Sequence, residues 1–410
     1  MTDATALPYR RIHDVEDAAG GGTVRGAGPS LDIEMGNHMQ HSTGSRTQPR
    51  TRSRLLATAA CGLAVAVTAV MGAPQASAGS ANWHKVLSDF QLGPFNLAVN
   101  QQNVYVADGA FGTLTKVGSN TPLAQAPGLA GADFSPDGKS YAYAWSNDEH
   151  TEGGLTIHSR GASDVFGDLV GYEAAHNPDS VNTYGIVAGG NPCAEQILGG
   201  LTGGEATYTG ALDSHPYSVA WSASGWYVAD AGMNTVMKVD KAGNVSTAAV
   251  LPPQPVTLTA EMAAGLAAEF GAPPGAFDCL AGVTYAFEPV PTDVEFDQAG
   301  NMFVSVLPGG PESPVLGARG KVYRYDTSGH RSTVASGLLG ATNIAVAPEG
   351  TLYATELFAG KVTKFANGTR STAVSLDRPL AVEVHGAYLY VGQLADFETG
   401  GPGSVQRFKR

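Results

Sequence analysis

The stretch of sequence that decides the fold is VAWSASGWYVAD, residues 219–230. Apolar residues alternate with small or polar ones on both sides of Gly225, as expected for two antiparallel strands joined by a tight turn. Five similar phrases accompany it, and they begin at Leu97, Ala132, Val294, Ile344 and Val382. Strand pairs repeated at intervals of roughly 35 to 90 residues are typical of propeller blades. The repeats therefore predict an all-β fold, a six-bladed β-propeller.

The first 78 residues have the features of a leader. A basic segment, Arg50–Arg54, precedes the apolar run Leu55–Met71, and Ala76-Ser77-Ala78 supplies the small residues that a signal peptidase needs. We therefore expect a secreted protein whose mature part, residues 79–410, is a single propeller. A start at Met39 would leave a leader of ordinary length.

The charge of the predicted mature part restricts its partners. Removing the seven arginines and six acidic residues of the leader leaves 17 basic against 31 acidic side chains, a net charge of −14. A basic face is needed to bind nucleic acid, so nucleic acid is disfavoured as a partner. No second apolar run approaches the ~20 residues that span a bilayer. We expect a monomer outside the cytoplasm.

The first strand of each blade should line the central channel, so alternate residues face either the channel or a neighbouring sheet. The apolar residues expected between blades are Leu97, Val99, Ala132, Phe134, Val219, Trp221, Val294, Phe296, Ile344, Val346, Val382 and Val384. The residues expected to face the channel are Ala98, Asp133, Ala220, Glu295, Ala345 and Glu383. Carboxylates and alanines would then alternate around the ring.

Carboxylates that converge in a channel repel one another unless some are protonated or a cation or ordered water compensates them. One hypothesis is a divalent-cation site, and hard oxygen ligands suit Ca²⁺ or Mg²⁺. Its candidate ligands are Asp133, Glu295 and Glu383, with Asp293, Asn96 and Asn343 nearer the mouth. The alternative is a water-filled channel with solvated acids.

Two insertions interrupt the repeats, at Ser146–Asp213 and Leu251–Pro291. The second contains a predicted helix with Thr259 as N-cap and with Met262, Leu266 and Phe270 on one stripe. Each insertion carries one cysteine, and an even count in an oxidising compartment favours a disulfide between them. The pair is Cys193 and Cys279, and the alternative is two buried thiols. A bridge would join the insertions into a lid over one face.

Several stretches resemble known propeller families. Residues 227–239 are similar to an NHL-type repeat, and longer stretches resemble the ScyD/ScyE family of secreted bacterial propellers. The latter are Tyr172-Glu173, Asn177-Pro178-Asp179, Ser214-His215-Pro216-Tyr217, Phe287–Glu295, Leu307–Glu312 and Leu316–Gly320. The family usually has asparagine where this chain has His215. The resemblance implies a six-bladed propeller over the whole mature chain and implies no particular reaction.

Two classes of function stay open. Six-bladed lactonases hold a metal at the channel mouth, where it polarises a carbonyl and activates water, but their calcium-site sequences are not recognisable here. Nucleophile-elbow, zinc-protease and phosphate-loop motifs are also lacking in the sequence. A module that binds a small molecule, a glycan or a protein is the favoured class. Its candidate ligand-binding residues are Tyr172, Glu173, Asn177, Asp179, His215, Tyr217 and Tyr285, and the alternative for the tyrosines is ordinary packing beneath the lid.

Overall fold

The computed structural model describes residues 84–90, 93–203, 205–311, 313–396 and 401–410. The predicted leader, the alternative start at Met39 and the third cysteine, Cys61, lie outside the described residues. All of the described residues belong to one compact unit.

Strands dominate the described residues, which contain seven four-stranded antiparallel sheets. Sheet 1 comprises β2 (Asn96–Asn100), β3 (Asn103–Asp108), β4 (Thr113–Lys116) and β5 (Ala124–Gln125). Sheet 2 comprises β6 (Gly131–Phe134), β7 (Ser140–Ser146), β8 (Gly153–Ser159) and β9 (Val165–Asp168). Sheet 3 comprises β12 (Pro216–Ser222), β13 (Gly225–Asp230), β14 (Thr235–Val239) and β15 (Val245–Val250). The all-β prediction is confirmed.

Three further sheets complete this series. Sheet 4 comprises β18 (Pro291–Phe296), β19 (Met302–Val306), β20 (Gly320–Tyr325) and β21 (Arg331–Leu338). Sheet 5 comprises β22 (Ala341–Val346), β23 (Leu352–Glu356), β24 (Lys361–Ala366) and β25 (Thr369–Ser375). Sheet 6 comprises β26 (Pro379–His385), β27 (Tyr388–Gln393), β28 (Gly403–Lys409) and, paired with β28, β1 (His84–Phe90). Sheet 6 therefore joins both ends of the described chain.

The seventh sheet has a different origin, because its strands come from the two insertions. Its order is β11 (Thr207–Thr209), β10 (Thr183–Ala188), β17 (Thr284–Phe287) and β16 (Gln254–Thr257). The helices α1 (Leu169–His176), α2 (Pro192–Leu201) and α3 (Ala260–Glu269) also belong to these segments. We call residues 169–209 and 254–287 the paired insertions. Over the residues that the structure describes, no helix is long and apolar enough to cross a membrane.

The first strands of sheets 1 to 6 contact one another in a closed cycle, β2–β6–β12–β18–β22–β26–β2. An apolar cluster fills each of the six junctions between neighbouring sheets. The residues expected between blades enter these clusters; Leu97, Ala132, Val219, Val294, Ile344 and Val382 each lie in a different one. Burial of the Leu, Val and Ile side chains among them stabilises the fold by about 1.5–3 kcal/mol each.

Two of the alanines expected to face the channel do not. Ala220 packs with Val294 of the next sheet, and Ala345 packs with Val382. Both side chains are almost completely buried. The channel prediction is wrong for these two positions because the sheets meet closely enough at the first strands for a methyl group to be enclosed.

The predicted bounds of the first insertion are wrong, whereas those of the second are close. β8 and β9 lie inside the predicted insertion Ser146–Asp213, yet they pair in order with β7 and belong to sheet 2. The real insertion starts at Leu169. In α3, Thr259 caps the helix as predicted and accepts a hydrogen bond from the Met262 N–H. Phe270 is nevertheless 46% exposed.

The apolar face of α3 differs from the predicted stripe for a simple reason. Ala263 and Ala267 are small enough to let the helix approach its neighbours closely, and they are buried beside Leu266. The buried face is therefore centred on these residues, which turns Phe270 outward. The predicted disulfide is confirmed, because Cys193 and Cys279 are bonded and join α2 to the short turn Asp278–Leu280.

Candidate functional site

Side-chain oxygens on the first strands join each sheet to the next one. In four junctions, an Asn or Asp side chain accepts a hydrogen bond from a backbone N–H of the neighbouring first strand. These bonds run from Ala132 to Asn96 (3.3 Å), from Trp221 to Asp133 (2.7 Å), from Ile344 to Asp293 (2.8 Å) and from Val382 to Asn343 (2.7 Å). The Ser218 hydroxyl also donates to Asp293. Four of the six candidate metal ligands are therefore used to hold the ring together.

The carboxylates of the ring act on one another, as the sequence predicts. Burial, followed by the charges of Glu383, Asp293 and Asp133, raises the pKa of Glu295 well above its usual range. Burial also raises the pKa of Glu383 to about 8, of Asp293 to about 7 and of Asp133 to about 6. Raised pKa values favour the protonated form of some of these carboxyl groups near neutral pH, and protonation lowers the repulsion among them.

Hydrogen bonds already engage two of the candidate metal ligands. Both oxygens of Asp133 and both oxygens of Asp293 already accept hydrogen bonds. Among the described residues, no group of three or more His, Cys, Asp or Glu side chains is placed to hold a metal ion. The divalent-cation site stays a prediction, and no chemical step is derived through it.

The mouth of the ring is the end at which the first strands begin. Four equivalent residues, each the second residue of its first strand, lie there: Tyr217, Thr292, Thr342 and Leu380. They line a cavity of about 40 Å³ together with Val290, Leu357 and residues 307–311. Val290 has φ of 49°, a left-handed conformation that is strained for a β-branched residue.

A second cavity of about 60 Å³ lies within the paired insertions. Its walls include Leu198 of α2, Leu266 of α3 and the rings of Tyr208 and Tyr285. Residues 309–311 line both cavities and so separate them. The Arg319 guanidinium donates to the Gly309 carbonyl (3.0 Å) and lies over the Phe287 ring, which fixes this wall.

Three side chains from two loops form a buried hydrogen-bonded chain beside the mouth. Asp213 Oδ1 lies 2.8 Å from His150 Nδ1, and His150 Nε2 lies 2.6 Å from His215 Nδ1. His150 belongs to the turn between β7 and β8, whereas Asp213 and His215 immediately precede β12. His215 is followed two residues later by Tyr217, and their ring centroids are 6.4 Å apart. We call these three residues the His–His–Asp chain.

Two buried carboxylates hold the segment that carries this chain. The N–H groups of Asp213 and Ser214 donate to the two oxygens of Glu173, at 3.1 and 2.7 Å. The His215 N–H donates to Asp230 Oδ1 at 2.7 Å. Burial, and then the charge of Asp230, raises the pKa of Glu173 to about 8. Three consecutive backbone N–H groups are thus fixed by carboxylates, which makes this segment rigid.

The other predicted ligand-binding residues mostly support the structure. Asp179 is fully buried and accepts hydrogen bonds from the Tyr184 hydroxyl (3.2 Å) and the Asn234 amide (3.0 Å). Asn177 donates to the Gly210 carbonyl, and the half-buried Tyr172 stacks on His176. Tyr285 is buried in the core of the paired insertions. Of the seven, Tyr217 lines the mouth cavity.

Sequence reasoning missed His150, Asp213, Asp230 and Glu288 as members of the site. A signal for Asp230 was present, because Asp108 and Asp230 end the second strands of two repeats and each accepts N–H bonds from the turn that follows. Glu288 lies in the Glu-Pro-Val-Pro stretch, and burial raises its pKa to about 7. No signal pointed to His150, which is 65 residues before His215 in the chain.

No protein-family model and no curated protein matches the chain. The chain is similar in structure to virginiamycin B lyase from Staphylococcus aureus (12% identity; 81% of this chain and 99% of that chain; TM-score 0.41). It is also similar to PQQ-bound aldose sugar dehydrogenase from Streptomyces coelicolor (12% identity; 81% of this chain and 100% of that chain; TM-score 0.45). A third similar structure is a putative glucose dehydrogenase from Thermus thermophilus (16% identity; 80% of this chain and 99% of that chain; TM-score 0.44). These neighbours are β-propellers. At these values the likeness carries no argument about activity.

Proposed function

We propose that this chain is a secreted, six-bladed, ScyD/ScyE-like propeller that binds a ligand at the mouth of its ring, beneath a cover formed by the paired insertions. The observation that carries the proposal is the apolar cavity at the mouth, which the first strands and residues 307–311 enclose together. The six sheets are the blades, and the closed cycle of their first strands is the channel wall.

Topology supports the position of the cover. In a four-stranded antiparallel sheet, the fourth strand ends where the first one begins. The insertions follow β9 and β15, the fourth strands of sheets 2 and 3, and lead into β12 and β18. Both therefore leave the ring at its mouth, and the shared sheet and the disulfide keep them together there. The disulfide also agrees with an oxidising, extracellular location.

The cavity suggests the kind of ligand. A volume of about 40 Å³ is far below the 300–1,000 Å³ that encloses a whole drug-sized molecule, so the cavity can receive only one end of a ligand. Leu357, Leu380 and Val290 make that end apolar. The net charge of −14 on the predicted mature part disfavours an anion. The metal-dependent hydrolase is the less favoured alternative, because four of its six candidate ligands accept hydrogen bonds from backbone N–H groups of neighbouring first strands.

Fluorine NMR of 4-fluorotoluene with the mature protein, residues 79–410, tests this proposal. We expect saturable line broadening that Leu380→Phe abolishes, because the larger ring occupies the cavity. Leu123→Phe is the matched control, since Leu123 is 41% exposed and does not line the cavity. Equal broadening in all three proteins would show that the probe does not bind at the mouth and would defeat the proposal.

A further inference from the structure

The cavity within the paired insertions has a polar end that the proposed function does not use. Glu288 and Tyr208 belong to the lining of this cavity and not to that of the mouth cavity. The Tyr208 hydroxyl donates to Glu288 Oε1 at 2.9 Å and so orients the carboxyl group. Both side chains are half-buried, so part of each stays accessible to a ligand that enters the cavity.

The remaining walls of this cavity are apolar, and several of them are aromatic. Tyr285 and Phe287 lie on the same face of β17, with ring centroids 4.7 Å apart, and leucines of α2 and α3 also line the cavity. Arg319 lies over the Phe287 ring but does not itself line the cavity. Phe270, at the C-terminal end of α3, is a lining residue that is 46% exposed. A small molecule can therefore reach the cavity from solvent beside Phe270.

Glu288 has no basic partner in the part of the chain that the structure describes. None of the ion pairs there includes Glu288, and no described Lys or Arg lines the cavity. Burial raises the pKa of Glu288 to about 7, and the negative charges of Asp179 and Asp213 act in the same direction. The hydrogen bond from Tyr208 opposes this shift only in part. A cation beside Glu288 would favour its ionised form and offset the repulsion from the other two carboxylates.

We propose that this cavity binds a small primary alkylammonium ion, with the ammonium group bonded to Glu288 and the alkyl chain packed against the aromatic and leucine side chains. A volume of about 60 Å³ suits a short chain and excludes a drug-sized molecule. Aromatic rings attract cations and also pack against alkyl groups, so these walls suit both ends of the ligand. Residues 309–311 separate this cavity from the mouth, so the inference does not depend on the proposed function.

The test compares n-propylamine with 1-propanol, which have chains of equal length and differ in charge, by NMR chemical-shift titration of the mature protein at pH 8. A charge-assisted hydrogen bond predicts that the wild type binds propylammonium about ten times more tightly than propanol. Glu288→Gln keeps an acceptor for the Tyr208 hydroxyl but removes the charge, so this ratio should fall to about one while the propanol affinity is maintained. Glu149→Gln, the same change at an exposed position between β7 and β8, should keep the ratio. No binding of the amine, equal affinities in the wild type, or a ratio retained in Glu288→Gln would overturn the inference.

Intermolecular nuclear Overhauser effects locate the amine in the wild type and need no variant. The propyl protons should show contacts with the methyl groups of Leu198 and Leu266, which line this cavity and not the mouth. Contacts with Leu357 and Leu380 alone would place the amine in the mouth cavity and overturn this inference. Failure of 4-fluorotoluene to bind at the mouth would defeat the proposed function and leave this result unchanged.

Discussion

Glu173→Gln should change how the stability of this protein depends on pH. Glu173 is 2% exposed, and burial together with the charge of Asp230 raises its pKa to about 8, against an ordinary value of 4.5. The folded protein therefore keeps a proton on Glu173 that the unfolded chain loses as pH rises above 4.5. The contribution of this group to stability is accordingly complete below pH 4.5 and decreases until pH 8.

The size of the effect follows from that window. With these two pKa values, the linkage relation predicts that Glu173 alone lowers the free energy of unfolding by roughly 1.5 kcal/mol between pH 6.5 and pH 8. Glutamine does not titrate, so Glu173→Gln should lack this loss. At pH 6.5 the variant should be less stable by about 1–3 kcal/mol, because its amide can satisfy only one of the Asp213 and Ser214 N–H groups.

Urea unfolding of both proteins at pH 6.5 and pH 8, followed by tryptophan fluorescence, measures these differences. We expect the stability gap between wild type and variant to narrow by roughly 1.5 kcal/mol at the higher pH. Glu195→Gln, at an exposed position in the first turn of α2, is the matched control for the same chemical change outside the buried segment. Parallel pH dependences for wild type and Glu173→Gln would refute the reasoning.

Three other outcomes are expected. Thiol titration of unfolded, unreduced mature protein should find no free thiol, and two reactive thiols would contradict the disulfide. Reduction of Cys193–Cys279 should speed hydrogen exchange in the paired insertions while the strands of the ring stay protected. Equally faster exchange in both parts would contradict this. Asp293→Ala should lower the free energy of unfolding in urea by roughly 2–3 kcal/mol, because the Ile344 N–H loses its acceptor. A decrease below ~0.5 kcal/mol would show that this hydrogen bond between sheets contributes little to stability. Deleting residues 379–410 should abolish the cooperative thermal transition, since sheet 6 would lose three of its four strands; a retained transition would refute closure of the ring.

The features that could be predicted from the sequence are the local ones. Apolar and polar residues alternate in residues 219–230 and in the five similar phrases. This alternation locates the first two strands of sheets 1 to 6, because the side-chain period of a strand is read directly from neighbouring residues. The start of α3 at Thr259 is equally local, since the cap and the N–H that it accepts are three residues apart. The disulfide followed from the cysteine count.

The features that could not be predicted depend on residues far apart in the chain. β8 has the sequence GGLTIHS, whose leading glycines and polar residues hide its alternation, so the sequence predicts an insertion there and not a strand. The seventh sheet arises only when β10 pairs with β17, a strand of the other insertion. The His–His–Asp chain likewise needs His150 to meet Asp213 across 63 residues, and no local pattern records such a contact.

The most direct test of the central claim, that the mouth of the ring binds the apolar end of a ligand, is a crystal structure of the mature protein soaked with 4-bromobenzyl alcohol. Anomalous scattering locates the bromine atom without ambiguity. We predict a bromine site inside the cavity bounded by Tyr217, Val290 and Leu380. Bromine found only elsewhere on the protein, with the mouth cavity free of it, would contradict the claim.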